Sequence, residues 1–216
     1  MKIAFLAVFA ISAIIHLYGS YVDNRKIRAS SKGFILLGLL GWYCCSAEPV
    51  LGIVVAAIAT SWLGDVLLIP HGTKWFTAGG ISFWASHICF TIAYAQQIDF
   101  GAFSVWAAVA AAAVYFVTVC LIFRGLRPHL PKLLFYPMFV YLLVNGAMNC
   151  SALFQLLSVP CTATAITFIG AVLFFISDAV LFNVRFNKDS KIKKHFLVML
   201  PYISAELLIV LGLVML

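Results

Sequence analysis

Three acidic residues stand inside long apolar runs of this chain: Asp65, Asp178 and Glu206. His87 and Lys32 join them in similar surroundings. Ionisable groups are expensive in hydrocarbon, so they seldom persist there without pairing or function. Two carboxyl groups at one depth can act as acid and base on a bond placed between them. The motifs around the aspartates are alike. Ser61 to Leu68 reads Ser-Trp-Leu-Gly-Asp-Val-Leu-Leu, and Phe175 to Leu181 reads Phe-Ile-Ser-Asp-Ala-Val-Leu. Their shared core is a small residue, then Asp, then two residues and Leu, and Ser177 is the small residue of the second copy. Tyr202 precedes Glu206 by one helical turn and falls on the same face. Ser82 and Ser86 approach the His87 face. His16, Lys32 and Tyr136 stand near the ends of their apolar runs. Asn145 and Asn149 share a face and read as interhelical hydrogen-bonding groups.

The elements that carry these residues follow from composition. Of 216 residues, 64% are apolar and 10% charged, with a mean hydropathy of +1.09. That is too little charge to cover a soluble surface and too much apolar content for disorder. With about 20 apolar residues per crossing plus loops, the length suits roughly eight spans. The expected fold is an all-α polytopic membrane helical bundle, a single transmembrane domain over residues 1–216. Its spans are expected near 3–20, 28–46, 50–69, 76–97, 102–123, 133–157, 161–183 and 196–216. The Asp motifs fall in the third and seventh spans, which suggests two parallel four-helix repeats. The run from Gly33 to Ala47 is short for a crossing, which draws Lys32 into the membrane boundary. There a lysine either reaches the headgroups or turns into the bundle.

Charge orients the bundle. Thirteen of the fourteen Lys and Arg residues lie in the first, third, fifth and seventh loops, and the remaining one is Lys2. Short basic loops stay cytoplasmic, so both termini are expected on the non-cytoplasmic side. Residues 2–20 are read as an uncleaved span, because cleavage as a signal peptide would leave Arg25, Lys26 and Arg28 outside. In a bacterium the location would be the inner membrane. The net charge of +7 is topological, so no nucleic-acid partner is expected. Asp65 and Asp178 then lie about four and five residues from the cytoplasmic ends of their spans. Glu206 and His87 lie near the midplane. The polar groups converge on a cavity open to the cytoplasm or inner leaflet. His71, His129 and His195 are placed in solvated loops. The six cysteines form no CxxC pair and read as small apolar fillers. No metal is expected, since only His16 and His87 lie within spans. No GxSxG motif or phosphate-binding glycine loop is present, and no cofactor is expected.

At these motifs the chain resembles the YhhN-like family of membrane proteins, which includes lysoplasmalogenases. The resemblance rests on Ser31-Lys32, on Leu63 to Leu68, and on Gly80, Phe83 and His87. It continues through Tyr141 to Met148, Phe174 to Asp178 and Pro201-Tyr202. Two positions depart from the family pattern: Gly33 stands where proline is usual, and Glu206 where glutamine is usual. The resemblance implies hydrolysis of the vinyl ether bond of lysoplasmalogens to a fatty aldehyde and a glycerophospho-headgroup. Asp65 and Asp178 would be catalytic, two carboxyls able to share one proton. Lys32, His87, Tyr136, Tyr202, Glu206 and Ser177 would contact substrate, with Lys32 or Tyr136 at the phosphate. The partners would be a lysophospholipid substrate and membrane lipid, and the oligomeric state is open. The alternative from another class is a small transporter or proton-coupled carrier using the same acids. Against it, the prolines lie at or within a turn of span edges rather than at mid-membrane.

Overall fold

A computed structural model describes residues 1–187 and 195–216, so Lys188, Lys191, Lys193 and Lys194 of the seventh loop lie outside the described residues. Eight α-helices and two short 3-10 turns occur among the described residues, with no strand. The helices are α1 (Lys2–Tyr21), α2 (Arg25–Ser46), α3 (Gly52–Leu67) and α4 (Thr73–Ala95). They continue with α5 (Val105–Leu126), α6 (Phe135–Ser158), α7 (Thr162–Phe186) and α8 (Phe196–Met215). Each expected span is a helix, and the boundaries agree within a few residues.

The helix ends follow local chemistry. Asn24 caps α2, its side-chain oxygen accepting from the backbone amides of Lys26 and Ile27. Ser104 does the same for α5 through Ala107. Pro49 and Pro160, which have no amide hydrogen, fall in the α2–α3 and α6–α7 breaks. Pro201 lies inside α8, in its second turn.

Six helices are long and apolar enough to cross a bilayer: α1, α4, α5, α6, α7 and α8, with the α5 and α6 spans taking in the adjoining 3-10 turns. The protein is an integral membrane bundle. The other two helices differ from the expected eight full spans for separate reasons. Helix α2 carries Arg25, Lys26, Arg28 and Lys32 in its first turns. Helix α3 has only 16 residues, about 24 Å at 1.5 Å per residue, against a hydrocarbon core of about 30 Å.

The interior is apolar as in a soluble protein, but the surface is apolar too, and polar groups are buried among the core side chains. Ile14, Trp106 and Phe116 are exposed, while His16, His87, Asn145, Gln155 and Glu206 are fully buried. Lipid takes the place of water at the rim, so apolar side chains gain nothing by turning inward, and polar ones must find each other. Helix α5 is the extreme case, packing mainly on α6 with only Val119 and Leu126 buried. The tight pairs are α1–α2, α3–α4 and α7–α8. Gly170 and Gly212 make the last of these possible: a Cβ on Gly170 would strike the Ala205 carbonyl, and one on Gly212 the Ala163 carbonyl. Helices α3 and α4 are stitched by serines, with Ser82 donating to the Thr60 carbonyl at 2.7 Å and Ser86 to the Ala57 carbonyl at 2.9 Å.

Candidate active site

The start of α2, the α3–α4 turn, the end of α7 and the start of α8 meet at one end of the bundle. They enclose a cavity of about 330 Å³ lined by Lys32, Asp65, His71, Ser177, Asp178, Arg185, His195 and Tyr202, among others. Asp65 is two residues from the end of α3, and Asp178 is eight from the end of α7. Unequal distances from the helix ends nonetheless bring both carboxyl groups to one cavity, because α3 stops early while α7 runs on.

The two aspartates have different partners. Asp65 forms an ion pair with Lys32, Nζ to Oδ1 at 3.1 Å, and accepts the Tyr202 hydroxyl on Oδ2 at 2.8 Å. Lys32 is therefore the lysine that turns into the bundle; its side chain is 10% exposed. Asp178 accepts the Tyr141 hydroxyl at 2.7 Å and the Asn145 amide at 2.8 Å, both on Oδ2. These donors are neutral. No hydrogen bond joins Asp65 to Asp178 among the described residues, so each carboxyl has its own environment rather than a shared proton.

Aromatic rings pack against one another beside the cavity. Phe83, Phe174 and Tyr202 meet edge to face, with centroids 5.5–6.2 Å apart. Gly64, directly before Asp65, admits the Phe83 ring, since a Cβ there would come within 2.7 Å of it. His87 is wholly buried between Tyr141 and Phe174, with its Nε2 3.8 Å from Asp178 Oδ2, too long for a hydrogen bond.

The remaining sequence candidates divide. Ser177 borders the cavity, but its hydroxyl donates to the Val198 carbonyl at 3.0 Å and so locks α7 to α8. Glu206 is wholly buried beside Ser61, without a hydrogen bond of good geometry at either oxygen. Tyr136 is 76% exposed and stands apart from the polar cluster. It lines a second, apolar space of about 370 Å³ between α4 and α6, with Gly80, Ile81, Trp84 and Val140. Ile81, Val140 and Tyr136 face outward there, so this groove opens on the lipid side. The two spaces adjoin, since Leu68, Phe76, Phe83 and Leu181 line both.

Several groups at the site were not among the sequence candidates. Tyr141 holds Asp178 and was missed, its i, i+4 spacing to Asn145 on α6 being the available signal, while Asn145 joins α6 to α7 as an interhelical hydrogen-bonding group. Arg185 lines the cavity with its guanidinium 5.2 Å from the Phe76 ring centre. His195 is not solvated as expected. It bonds the Ser20 hydroxyl at 3.1 Å and its ring lies 5.9 Å from that of His16. Burial and the charges of Lys32 and Arg28 pull His195 down to about 3, so it stays neutral at the cavity mouth. His16 in turn ties α1 to α2, its Nδ1 3.1 Å from the Arg28 carbonyl and 3.2 Å from the Ser31 hydroxyl. These contacts fix the first turns of α2, and with them Lys32, against α8. Among the described residues no three His, Cys, Asp or Glu side chains converge as a metal site would need.

No curated protein and no solved structure matches the chain. A family model does match, from residue 27 to residue 213, a stretch that contains every cavity residue named above. By that match over most of its length, the chain belongs to the YhhN family.

Proposed function

We propose that this protein is an intramembrane hydrolase that cleaves the vinyl ether bond of lysoplasmalogens, releasing a fatty aldehyde and a glycerophospho-headgroup. The observation that carries the reading is the junction of a charged cavity bearing two aspartates with an apolar groove open to lipid. A lysolipid has the same two-part shape. Its phosphate would meet the Arg185 and Lys32 rim, its hydrocarbon chain would lie along Gly80, Trp84 and Val140, and the vinyl ether would fall between the aspartates. Family membership supports the same reading.

The partners divide the labour. Asp65, beside the Lys32 ammonium, is the fixed anion. Asp178, facing only neutral donors, is the acid. Its proton passes to the β-carbon of the vinyl ether, the double-bond electrons forming the new C–H bond and leaving an oxocarbenium ion at the α-carbon. The Asp65 carboxylate and the Phe83 ring, both lining the cavity, would stabilise that cation. Water adds to the α-carbon and returns a proton to Asp178. The hemiacetal then breaks its C–O bond, giving aldehyde and a free glycerol hydroxyl. One water is consumed, with no net change in protons. The geometry of acid and anion resembles the two-carboxylate logic of glycoside hydrolysis. The basic end of the bundle is assigned to the cytoplasmic side, on the distribution of Lys and Arg.

The test is to incubate the detergent-purified protein with lysoplasmenylethanolamine and measure free aldehyde, with Asp178→Asn beside it. Aldehyde from the wild type alone is the expected result. A folded wild type that leaves this and other lysolipids intact would overturn the reading and favour transport, to be followed by vesicle uptake.

A further inference from the structure

The polar interior does not end at Asp178. On α6, Tyr141, Asn145 and Asn149 recur at every fourth residue, and Gln155 lies two heptads on from Tyr141, within the same face. All four are buried. The first three are linked: Tyr141 and Asn145 donate to Asp178, and the Asn149 amide donates to the Asn145 side-chain oxygen at 3.1 Å. At the far end, the Gln155 amide donates to Gln97, just beyond the C-terminus of α4, at 2.6 Å. Both glutamines line a cavity of about 370 Å³ at the end of the bundle opposite the basic one. Helix α4, which packs on α6, presents His87 and Tyr94 seven residues apart and so on one face.

Along this α4–α6 seam hydrogen-bonding capacity is left over. The Asn149 Oδ1, the Gln155 Oε1 and both His87 nitrogens are buried without a protein partner, as is the Tyr94 hydroxyl, whose ionisable neighbour is Glu206 of α8. Ala152, buried between Asn149 and Gln155 on the same face, brings no polar side-chain atom of its own. In a membrane interior such groups are costly to leave unsatisfied, and water is the one ligand small enough to bridge several of them. A bound water needs two to four polar partners, and the unpartnered atoms of Gln155, Asn149, Tyr94 and His87 are the available ones between Gln97 and Asp178.

We propose that the α4–α6 seam holds a file of bound water running from the Gln97–Gln155 cavity to Asp178. Its use rests on the hydrolytic reading above. A lysolipid seated in the charged cavity closes the direct path from the basic end, while each turnover consumes one water at the oxocarbenium carbon. The file supplies that water from behind, and the proton it sheds returns to Asp178.

The file is tested on the full-length protein in detergent by X-ray hydroxyl-radical footprinting, which marks side chains beside bound water whatever the activity. Tyr94 is compared with Tyr43, an equally buried tyrosine whose hydroxyl is taken by the Leu51 amide. The expected result is modification of Tyr94 several-fold above Tyr43, falling several-fold in Asn149→Leu or Gln155→Leu. Tyr94 modified no more than Tyr43, or unchanged in whichever of those variants folds, would overturn the file. The two readings fail separately. A labelled Tyr94 in a protein that makes no aldehyde keeps the file and removes the hydrolase. An active enzyme with Tyr94 unmarked does the reverse.

Discussion

Asp65 and Asp178 carry the same functional group into the same cavity, yet their surroundings differ in kind. Asp65 has a cation at 3.1 Å and one hydroxyl donor. Asp178 has two neutral donors on one oxygen and a histidine held just out of bonding range. A buried ion pair keeps both members charged only because each compensates the other. A carboxyl among neutral dipoles has no such obligation and can gain and lose a proton during a reaction. On the proposed hydrolytic reading, the asymmetry would let two identical side chains serve as standing anion and proton donor. It arises from helix choice: Asp65 faces the basic start of α2, whereas Asp178 faces the amide-bearing face of α6.

The sharpest way to break that contrast is at the acid. Asp178→Asn should insert and fold but lose about a thousandfold in kcat, within the range general acid catalysis provides. Unimpaired turnover in the purified variant would remove Asp178 as proton donor. On the other side, Lys32→Met strands a buried carboxylate and should cost about 3–5 kcal/mol of stability. Adding Asp65→Asn should recover most of that loss without restoring activity. Thermal unfolding of both single variants and the double variant measures the coupling, and strict additivity would contradict the ion pair.

Smaller effects separate the hydroxyl donors. Tyr141→Phe should lower kcat about tenfold, the worth of one hydrogen bond of about 1.4 kcal/mol to a reacting group. Tyr202→Phe, where Lys32 still holds Asp65, should cost less than Tyr141→Phe. Equal losses would mean that the two carboxyls are not distinguished by their partners. The smallest effect belongs to the groove. Gly80 has open space where a Cβ would stand, so Gly80→Leu should fold normally and project into the chain path. A rise in KM of a few-fold for long-chain lysolipids, with short-chain ones spared, is expected, on the order of one lost packing contact. No dependence on chain length would place the hydrocarbon elsewhere.

Much of this architecture was legible from the chain. Apolar runs punctuated by Pro49, Pro160 and clustered basic residues gave the eight helices, because a bilayer leaves few alternatives for a backbone that must satisfy its own hydrogen bonds. Of the acids within those runs, Asp65 and Asp178 both border the polar cavity and Glu206 does not; such groups are costly in hydrocarbon and seldom stand there unpaired. What escaped was pairwise. Lys32 could have faced the headgroups, and Tyr136, a boundary tyrosine, was read as a substrate ligand while Tyr141, five residues on, was not. Only the rotation of α6 places Tyr141 inward and leaves Tyr136 76% exposed in the groove. His195 looked like a loop histidine because its partners, Ser20 and His16, belong to the other end of the chain.

Sequence by itself thus determined that the protein lies in a membrane, that every second loop between its helices is basic, and that Asp65 and Asp178 stand as carboxyl groups within apolar helices. These follow from transfer free energies, which each residue carries regardless of its neighbours. Tertiary structure alone decided that Lys32 belongs to Asp65, that Tyr141 and Asn145 belong to Asp178, and that a lipid-open groove adjoins the polar cavity. Those facts depend on the rotation and offset of one helix against another. Close packing at positions such as Gly64 and Gly170 sets that register, and hydropathy carries no record of it.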